Sequence, residues 1–240
     1  MLFSAEEISL LYMNKPNKIA IIGCGGIACQ LIGLLGLDYN LLLVDGDDFE
    51  AKNSKRQFPA LNKRGINKNK AVYLAELMEE RTAFKINFIP KYLEGLSIVN
   101  NPEWSEIDMI ISCVDNRQSR EIINQIANQQ DIPAILCGNE EYMGEAHLSY
   151  PGIYDPFMHH DFGPMTKAPF ACTSDENQNG TQTSSANFLA AAACVHILMA
   201  WCKTDNPENL IIHSLLDVRA NSTRKRLRDA PLLEACAGTA

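Results

Sequence analysis

Arg56, Lys70 and Asp115 are the charged side chains whose setting in the sequence suggests chemistry on a polyanion. They follow a glycine-rich segment, Gly23-Cys24-Gly25-Gly26-Ile27-Ala28, with the pattern G-x-G-x-x-A. In such a segment the first glycine serves a tight turn, the second lets backbone approach a phosphate, and the last small residue lets a helix pack closely on a sheet. A helix that starts there turns unpaired N–H groups and the positive end of its dipole toward an anion. Asp45 comes 22 residues after Gly23, where a carboxylate can accept hydrogen bonds from ribose hydroxyls.

That much does not separate a dinucleotide from ATP; the stretch after Asp45 does. Gly46-Asp47-Asp48-Phe49-Glu50 is followed by Asn53, by Arg56-Gln57 and by Lys70 at the start of a helical pattern. A triphosphate needs charge compensation here that a ribose and adenine do not. Arg56 supplies a bidentate fork and Lys70 a point charge, each charge-assisted bond contributing about 1.5–3 kcal/mol. Taken singly, either residue also reads as a solvated surface charge. Asp115 follows a buried apolar run, at the sheet edge shared by Gly23 and Asp45. A carboxylate facing phosphates is repelled unless a divalent cation lies between them, and magnesium is commonly held by one or two carboxylates plus phosphates. Asp115 can also cap the helix that begins near Arg117; the two roles are compatible.

The elements that must position these groups alternate along the chain. Apolar runs at 18–22, 41–44, 107–114 and 134–137 read as buried strands, the first and last stopping at a glycine, and 84–89 alternates like a strand. Between them, 27–37, 67–81 and 117–129 carry helical spacing, with Val72, Leu74, Leu77 and Met78 as the apolar side of the second. Strands alternating with helices indicate a parallel, doubly wound sheet. Residues 155–183 form a long Pro- and Gly-bearing crossover loop, a length that is usually functional. Residues 181–202 carry no formal charge over 22 positions, enough to span a bilayer. Gln182, Asn187, His196 and the lack of a flanking basic cluster favour a buried helix started by Ser184 and Ser185. A strand-like 209–216 and a basic turn (Arg224, Lys225, Arg226, Arg228) follow.

The chain has 240 residues, 26.7 kDa, 46% hydrophobic and 21% charged residues and a formal charge of −8. It is expected to form one domain, 1–240, with a nucleotide-binding core at 18–140 and a substrate-side part at 141–240. The acidic balance argues against nucleic acid or an anionic membrane as partner. Six of the eight cysteines (Cys24, Cys29, Cys113, Cys137, Cys194 and Cys202) lie in or beside apolar runs, where a thiol serves as a small core hydrophobe. The N-terminal stretch has acids before its apolar residues and no basic n-region, so a reducing, cytoplasmic setting is expected. His159 and His160, adjacent in the long loop, read as surface residues rather than ligands.

In combination, GCGGIA, D-G-D ahead of N-x-x-R-Q, Lys70 and C-V-D-N-x-x-x-R resemble the ThiF/MoeB/E1-like adenylyltransferases, closely over about 18–140 and loosely beyond. The resemblance implies a Rossmann-like, doubly wound, mainly parallel sheet with a C-terminal extension of the sheet after the crossover loop. It implies an ATP- and magnesium-dependent enzyme that activates the C-terminal carboxylate of a ubiquitin-like or sulfur-carrier protein ending in glycine, as a homodimer. Asp45 would bind ribose within the D-G-D that includes Asp47; Asn53 and Arg56 would hold the triphosphate, Gln57 would support that loop, Lys70 would touch phosphate and Asp115 would hold magnesium. Asn116 and Arg120 match residues that order the Asp115 loop. Cys172 lies where related enzymes carry the thiol that attacks the adenylate; an incidental exposed thiol is the equal alternative, though Lys167 would lower its pKa if close. The sequence departs from the family in three ways. The paired C-x-x-C motifs of many relatives are absent, so no structural zinc is expected. No arginine precedes Lys18 to reach a neighbouring subunit; Lys15 is a poor substitute, so that role falls to the Arg224–Arg228 cluster or is unfilled, and the second half is short. The competing readings are an NAD(P)-dependent oxidoreductase and a non-catalytic nucleotide-binding scaffold subunit.

Overall fold

A computed structural model describes residues 15–35, 38–57, 63–80, 86–140, 142–160, 183–204, 206, 209–217 and 223–226. Among these, eight strands form one sheet: β1 (Lys18–Ile22), β2 (Asn40–Val44), β3 (Ile86–Ile89), β4 (Met109–Ser112), β5 (Ala134–Glu140), β6 (Met143–Ser149), β7 (Ile211–Asp217) and β8 (Thr223–Arg226). Their order is β3-β2-β1-β4-β5-β6-β7-β8. The first five pair in parallel and the last three extend the sheet antiparallel. The helices are α1 (Gly26–Leu35), α2 (Lys70–Glu79), α3 (Arg117–Gln130) and α4 (Ser184–Lys203).

Strand alternation divides the core into two layers. Ile19, Ile21, Leu41, Leu43, Met109 and Ile111 face α1, α2 and α4. Ala20, Ile22, Leu42, Val44 and Ile110 face α3 and Trp104. The fully apolar strands are buried on both sides, as a doubly wound sheet requires. From β1 the chain moves outward to β2 and β3, then returns to place β4 on the other side of β1. The crevice between the carboxyl ends of β1 and β4 is therefore the switch point where ligands of open α/β sheets bind.

Several local readings are corrected. The strand expected to stop before Gly138 continues to Glu140 and turns back as β6, whose small and polar residues (MGEAHLS) gave no strand signal. The expected basic turn is strand β8, paired along β7 at the sheet edge. Helix α2 buries Tyr73 while Val72 is only half-buried, and it starts at Lys70 because the Asn69 side chain accepts the Val72 N–H at 3.2 Å. Helix α4 is capped by Thr183, whose hydroxyl accepts the Ala186 N–H at 3.1 Å, rather than by the serines after it.

Helix α4 is long and apolar enough to cross a membrane by length and composition, but it lies on the sheet against β5, β6, β7 and α1. Its alanines permit a very close approach: a Cβ on Gly144 of β6 would overlap the backbone of Leu189 and Ala190. Gly144→Ala must push helix from sheet, an overpacking that costs about 1–3 kcal/mol. Thermal denaturation should show the midpoint falling by about 2–4 °C for each kcal/mol lost.

Candidate functional site

Gly23 makes the turn out of β1 with φ +88°, and a Cβ there would stand 2.9 Å from the Cys113 carbonyl carbon after β4. Only glycine meets both demands. The Gly23 N–H bonds the Val44 carbonyl at 2.9 Å and the Cys113 N–H bonds the Ile22 carbonyl at 2.8 Å, so the ends of β1, β2 and β4 are tied together. Helix α1 begins at Gly26, with its first turn at the crevice. Gly26 lies under α4, where a Cβ would overlap the Asn187 amide, and Ala28 is fully buried.

Asp45 fixes the shape of this loop. Its carboxylate accepts the Cys24 N–H at 2.6 Å and the Asp47 N–H at 2.7 Å. Burial raises its pKa, with the Lys70 ammonium and these N–H groups acting in the opposite sense. Lys70 is buried at the start of α2, and its Nζ lies 2.9 Å from Asp47 Oδ2. Burial would lower the lysine pKa, but Asp45 and Asp47 together carry it above the ordinary value. Asp47 also accepts the Tyr92 hydroxyl at 2.5 Å, and the Tyr92 ring lies 2.5 Å from where a Gly46 Cβ would be. That hydrogen bond pushes the Tyr92 pKa up to about 12. Against the effect of burial, Tyr92 and Lys70 hold the Asp47 carboxyl below its usual range.

Asn53 and Gln57 are buried in the loop after β2, where Asn53 Oδ1 accepts the Glu50 N–H at 2.8 Å and shapes a short 3-10 turn. Gln57 Nε2 would lie 3.9 Å from a Cβ on Gly25, so its amide closes the back of the glycine loop. The carbonyl of Arg56 accepts Asn187 Nδ2 at 3.2 Å, and Asn187 Oδ1 accepts Asn139 Nδ2 at 2.7 Å. The structure therefore brings the Arg56 backbone to α4 and to the end of β5.

Asp115 follows β4 and reaches solvent, yet enough protein surrounds it that burial raises its carboxyl pKa. Its own backbone N–H, Arg120 and Lys70 act in the opposite sense. Asn116 caps α3 by accepting the Ser119 N–H at 2.8 Å. Arg120 donates to the Val114 carbonyl at 3.2 Å and the Cys137 carbonyl at 3.0 Å, binding the Asp115 loop to β5.

The six cysteines read as core residues are all buried free thiols. Cys172, Lys167, Arg228 and residues 161–182 lie outside the described residues. Lys15 lies over the Tyr39 ring of its own chain, 4.9 Å from the centroid, at the sheet edge opposite the glycine loop. His159 and His160 are half-buried rather than surface groups: His159 stacks on Tyr154 and His160 packs against His147 and His213. Tyr92, Asn139 and Asn187 were not legible as site residues. Of these only Asn187, an amide in an otherwise apolar helix, carried a sequence signal.

Residues 13–233 match the ThiF family, and the chain belongs to it. It is similar to the SUMO-activating enzyme subunit 2 of Dictyostelium discoideum, with 27% identity over 143 residues, 58% of this chain and 21% of that one. It is also similar to the NEDD8-activating enzyme E1 catalytic subunit of Arabidopsis thaliana, with 26% identity over 199 residues, 75% of this chain and 42% of that one. The chain thus spans less than half the length of these curated relatives. Its fold is that of E. coli MccB, solved with ATP, with a TM-score of 0.69 and 17% identity over 97% of this chain and 69% of that chain.

Two predictions test this geometry. A carboxyl held below its ordinary pKa adds stability above the ordinary value, and that stability is lost as pH falls through the lowered one. Asp47→Asn should therefore flatten the acid limb of a melting-temperature profile, below about pH 4. Asn187→Ala leaves the Arg56 carbonyl and the Asn139 amide without their shared partner at a cost of about 1–3 kcal/mol. Calorimetry should show that loss, while Phe188→Ala, on the exposed side of the same turn, stays within about 0.5 kcal/mol of wild type.

Proposed function

We propose that the chain is an adenylyltransferase that uses ATP and magnesium to activate the C-terminal carboxylate of a ubiquitin-like or sulfur-carrier protein, or of a peptide. The observation that carries this reading is the sheet edge itself. The glycine loop, the Asp45–Asp47–Lys70 network and Asp115 meet at one switch point, in a member of the ThiF family. Its relatives are named as activating enzymes for SUMO and NEDD8, and a structural neighbour was solved with ATP.

In this reading the α1 N-terminus and the glycine loop receive phosphate, and Asp45, whose oxygens each keep a further lone pair, accepts ribose hydroxyls. Arg56 holds the triphosphate from the Asn53–Gln57 loop. Lys70 is already paired with Asp47, so phosphate oxygens would compete with that carboxylate for its ammonium. Magnesium fits the donor set: Asp115 is a hard oxygen ligand at the crevice with Lys70 nearby, and one carboxylate plus phosphates suffices. Bound there, magnesium would neutralise phosphate charge. The substrate carboxylate attacks the α-phosphorus and pyrophosphate leaves. The nucleophile is already ionised, so positioning and charge screening are the protein's task. If a thiol then accepts the acyl group, Cys172 is the candidate. The proposed setting is a cytoplasmic homodimer.

The test is ATP–pyrophosphate exchange against a panel of Gly-Gly-ending carrier proteins and peptides. Asp115→Ala and Arg56→Ala should each reduce exchange at least about 100-fold while the thermal midpoint is kept, a loss in the range seen when transition-state charge stabilisation is removed. Cys172→Ala should spare exchange and remove any thioester. Exchange at wild-type rate in Asp115→Ala or Arg56→Ala would overturn that residue's role. Nicotinamide binding without pyrophosphate release would favour the oxidoreductase.

A further inference from the structure

On the α3 side of the sheet, the face opposite α4, the antiparallel extension gathers four polar side chains into one cluster. Glu145 and His147 are two apart on β6 and so share a face. His213 on β7 is the register partner of His147, and the two rings stack at 4.3 Å with 9° between their planes. His160 closes the cluster, its ring 4.2 Å from His147 and 5.2 Å from His213.

His147 is buried, His160 and His213 are partly so, and Glu145 keeps 38% of its side chain exposed, so a cation can reach the cluster from solvent. The spacing of their donor atoms indicates what that cation is. Glu145 Oε2 lies 3.2 Å from His147 Nε2 and 3.6 Å from His213 Nε2. The second contact is longer than an ordinary hydrogen bond, and both rings draw the Glu145 carboxyl well below the usual carboxylate range. Around a tetrahedral zinc, with bonds of about 2.0–2.2 Å, ligand atoms stand about 3.3 Å apart. The three histidines each offer a ligand atom within 4.8 Å of the others; closing on one ion takes an inward movement and a rotation of the His147 and His213 rings well out of their parallel stack, which the broad χ2 wells permit. The Tyr154 hydroxyl lies 3.3 Å from His160 Nε2, the kind of outer hydrogen bond that fixes the orientation of a metal-bound imidazole.

We propose that His147, His160 and His213, with Glu145, form a structural site for a zinc-class divalent ion. The site would join β6, β7 and the segment after the 3-10 turn Pro156–Met158. It would also stiffen the approach to the nucleotide crevice. A Cβ on Gly138 would lie 3.3 Å from both Arg120 Nη2 and Glu145 Oε1, so Glu145 is next to the arginine that holds the Asp115 loop. The expectation of no zinc rested on cysteine spacing; imidazoles from three separate segments leave no such spacing to read. This inference does not depend on the proposed adenylation.

The experiment uses the full chain, stripped with a chelator, dialysed and titrated with zinc chloride, with cobalt(II) as a spectroscopic probe. One zinc per chain is expected, with visible cobalt bands of a four-coordinate site and a melting midpoint raised by about 5–10 °C at a hundredfold excess over Kd. His160→Asn and His213→Asn should each weaken zinc binding at least about 100-fold, more than loss of an outer-sphere partner does. His159→Asn, one residue from the cluster, should bind as wild type. If a histidine variant fails to fold, Glu145→Gln and the cobalt spectrum of the wild-type chain still decide. Folded protein that shows no cobalt bands and no shift in melting midpoint with zinc overturns the site, as does wild-type affinity in both His160→Asn and His213→Asn.

Discussion

The structure depends on a contact of backbone with backbone: Gly23, in the left-handed region, pressed against the chain leaving β4 and bonded to the end of β2. Three parallel strands that end together would otherwise diverge with the twist of the sheet. The missing side chain lets β1 turn sharply enough for α1 to begin three residues later. The same turn directs the N-terminus of α1 into the crevice between β1 and β4. A methyl group there would have to separate β1 from β4, and the loss would extend beyond any single phosphate contact to the shape of the whole edge.

Charge balance forms the next layer. Lys70 is the cation that Asp45 and Asp47 share, and burial would depress its pKa if those acids were absent. The arrangement is preorganised: Asp45 is oriented by two backbone N–H groups and Asp47 by Lys70 and Tyr92. A phosphate that entered would meet a lysine already ionised and oriented, needing only to displace one carboxylate. Asp115 is carried by a separate loop, which Arg120 ties through the Val114 carbonyl to the Cys137 carbonyl of β5. Each side of the crevice thus combines acid and base, Lys70 with Asp45 and Asp47 on one and Arg120 with Asp115 on the other.

Much of this was legible from sequence because the signals were local. The glycine loop, the acid after β2 and the buried runs that became β1, β2 and β4 each declare themselves within a few residues. What was missed depended on partners distant in the chain. Strand β6 contains Gly144 because α4 lies on it, and a strand of small and polar residues has no hydrophobic alternation to detect. Strand β8 reads as a basic turn because an edge strand tolerates charge and needs only one neighbour. Val72 seemed a better core residue than Tyr73 on polarity alone, but Tyr73 sets its ring edge-on to Phe49 and buries more surface. Tyr92 gave no warning, since nothing near it in sequence foretells Asp47 beyond the end of the neighbouring strand, 45 residues earlier.

Asn187 shows how the two halves of the chain form one site. Its amide receives Asn139 from the end of β5 and donates to the Arg56 carbonyl, while the same side chain fills the space that glycine leaves at position 26. A carbonyl has no charge to discriminate partners, so the specificity comes from geometry: one amide with a donor and an acceptor, buried at the start of a helix. An alanine-rich helix can approach closely enough to deliver that amide, whereas a helix of large residues would stand off by the width of its side chains. The apolar character of α4, which by composition alone suits a bilayer, thus serves to bring a polar group within bonding distance of the Arg56 carbonyl.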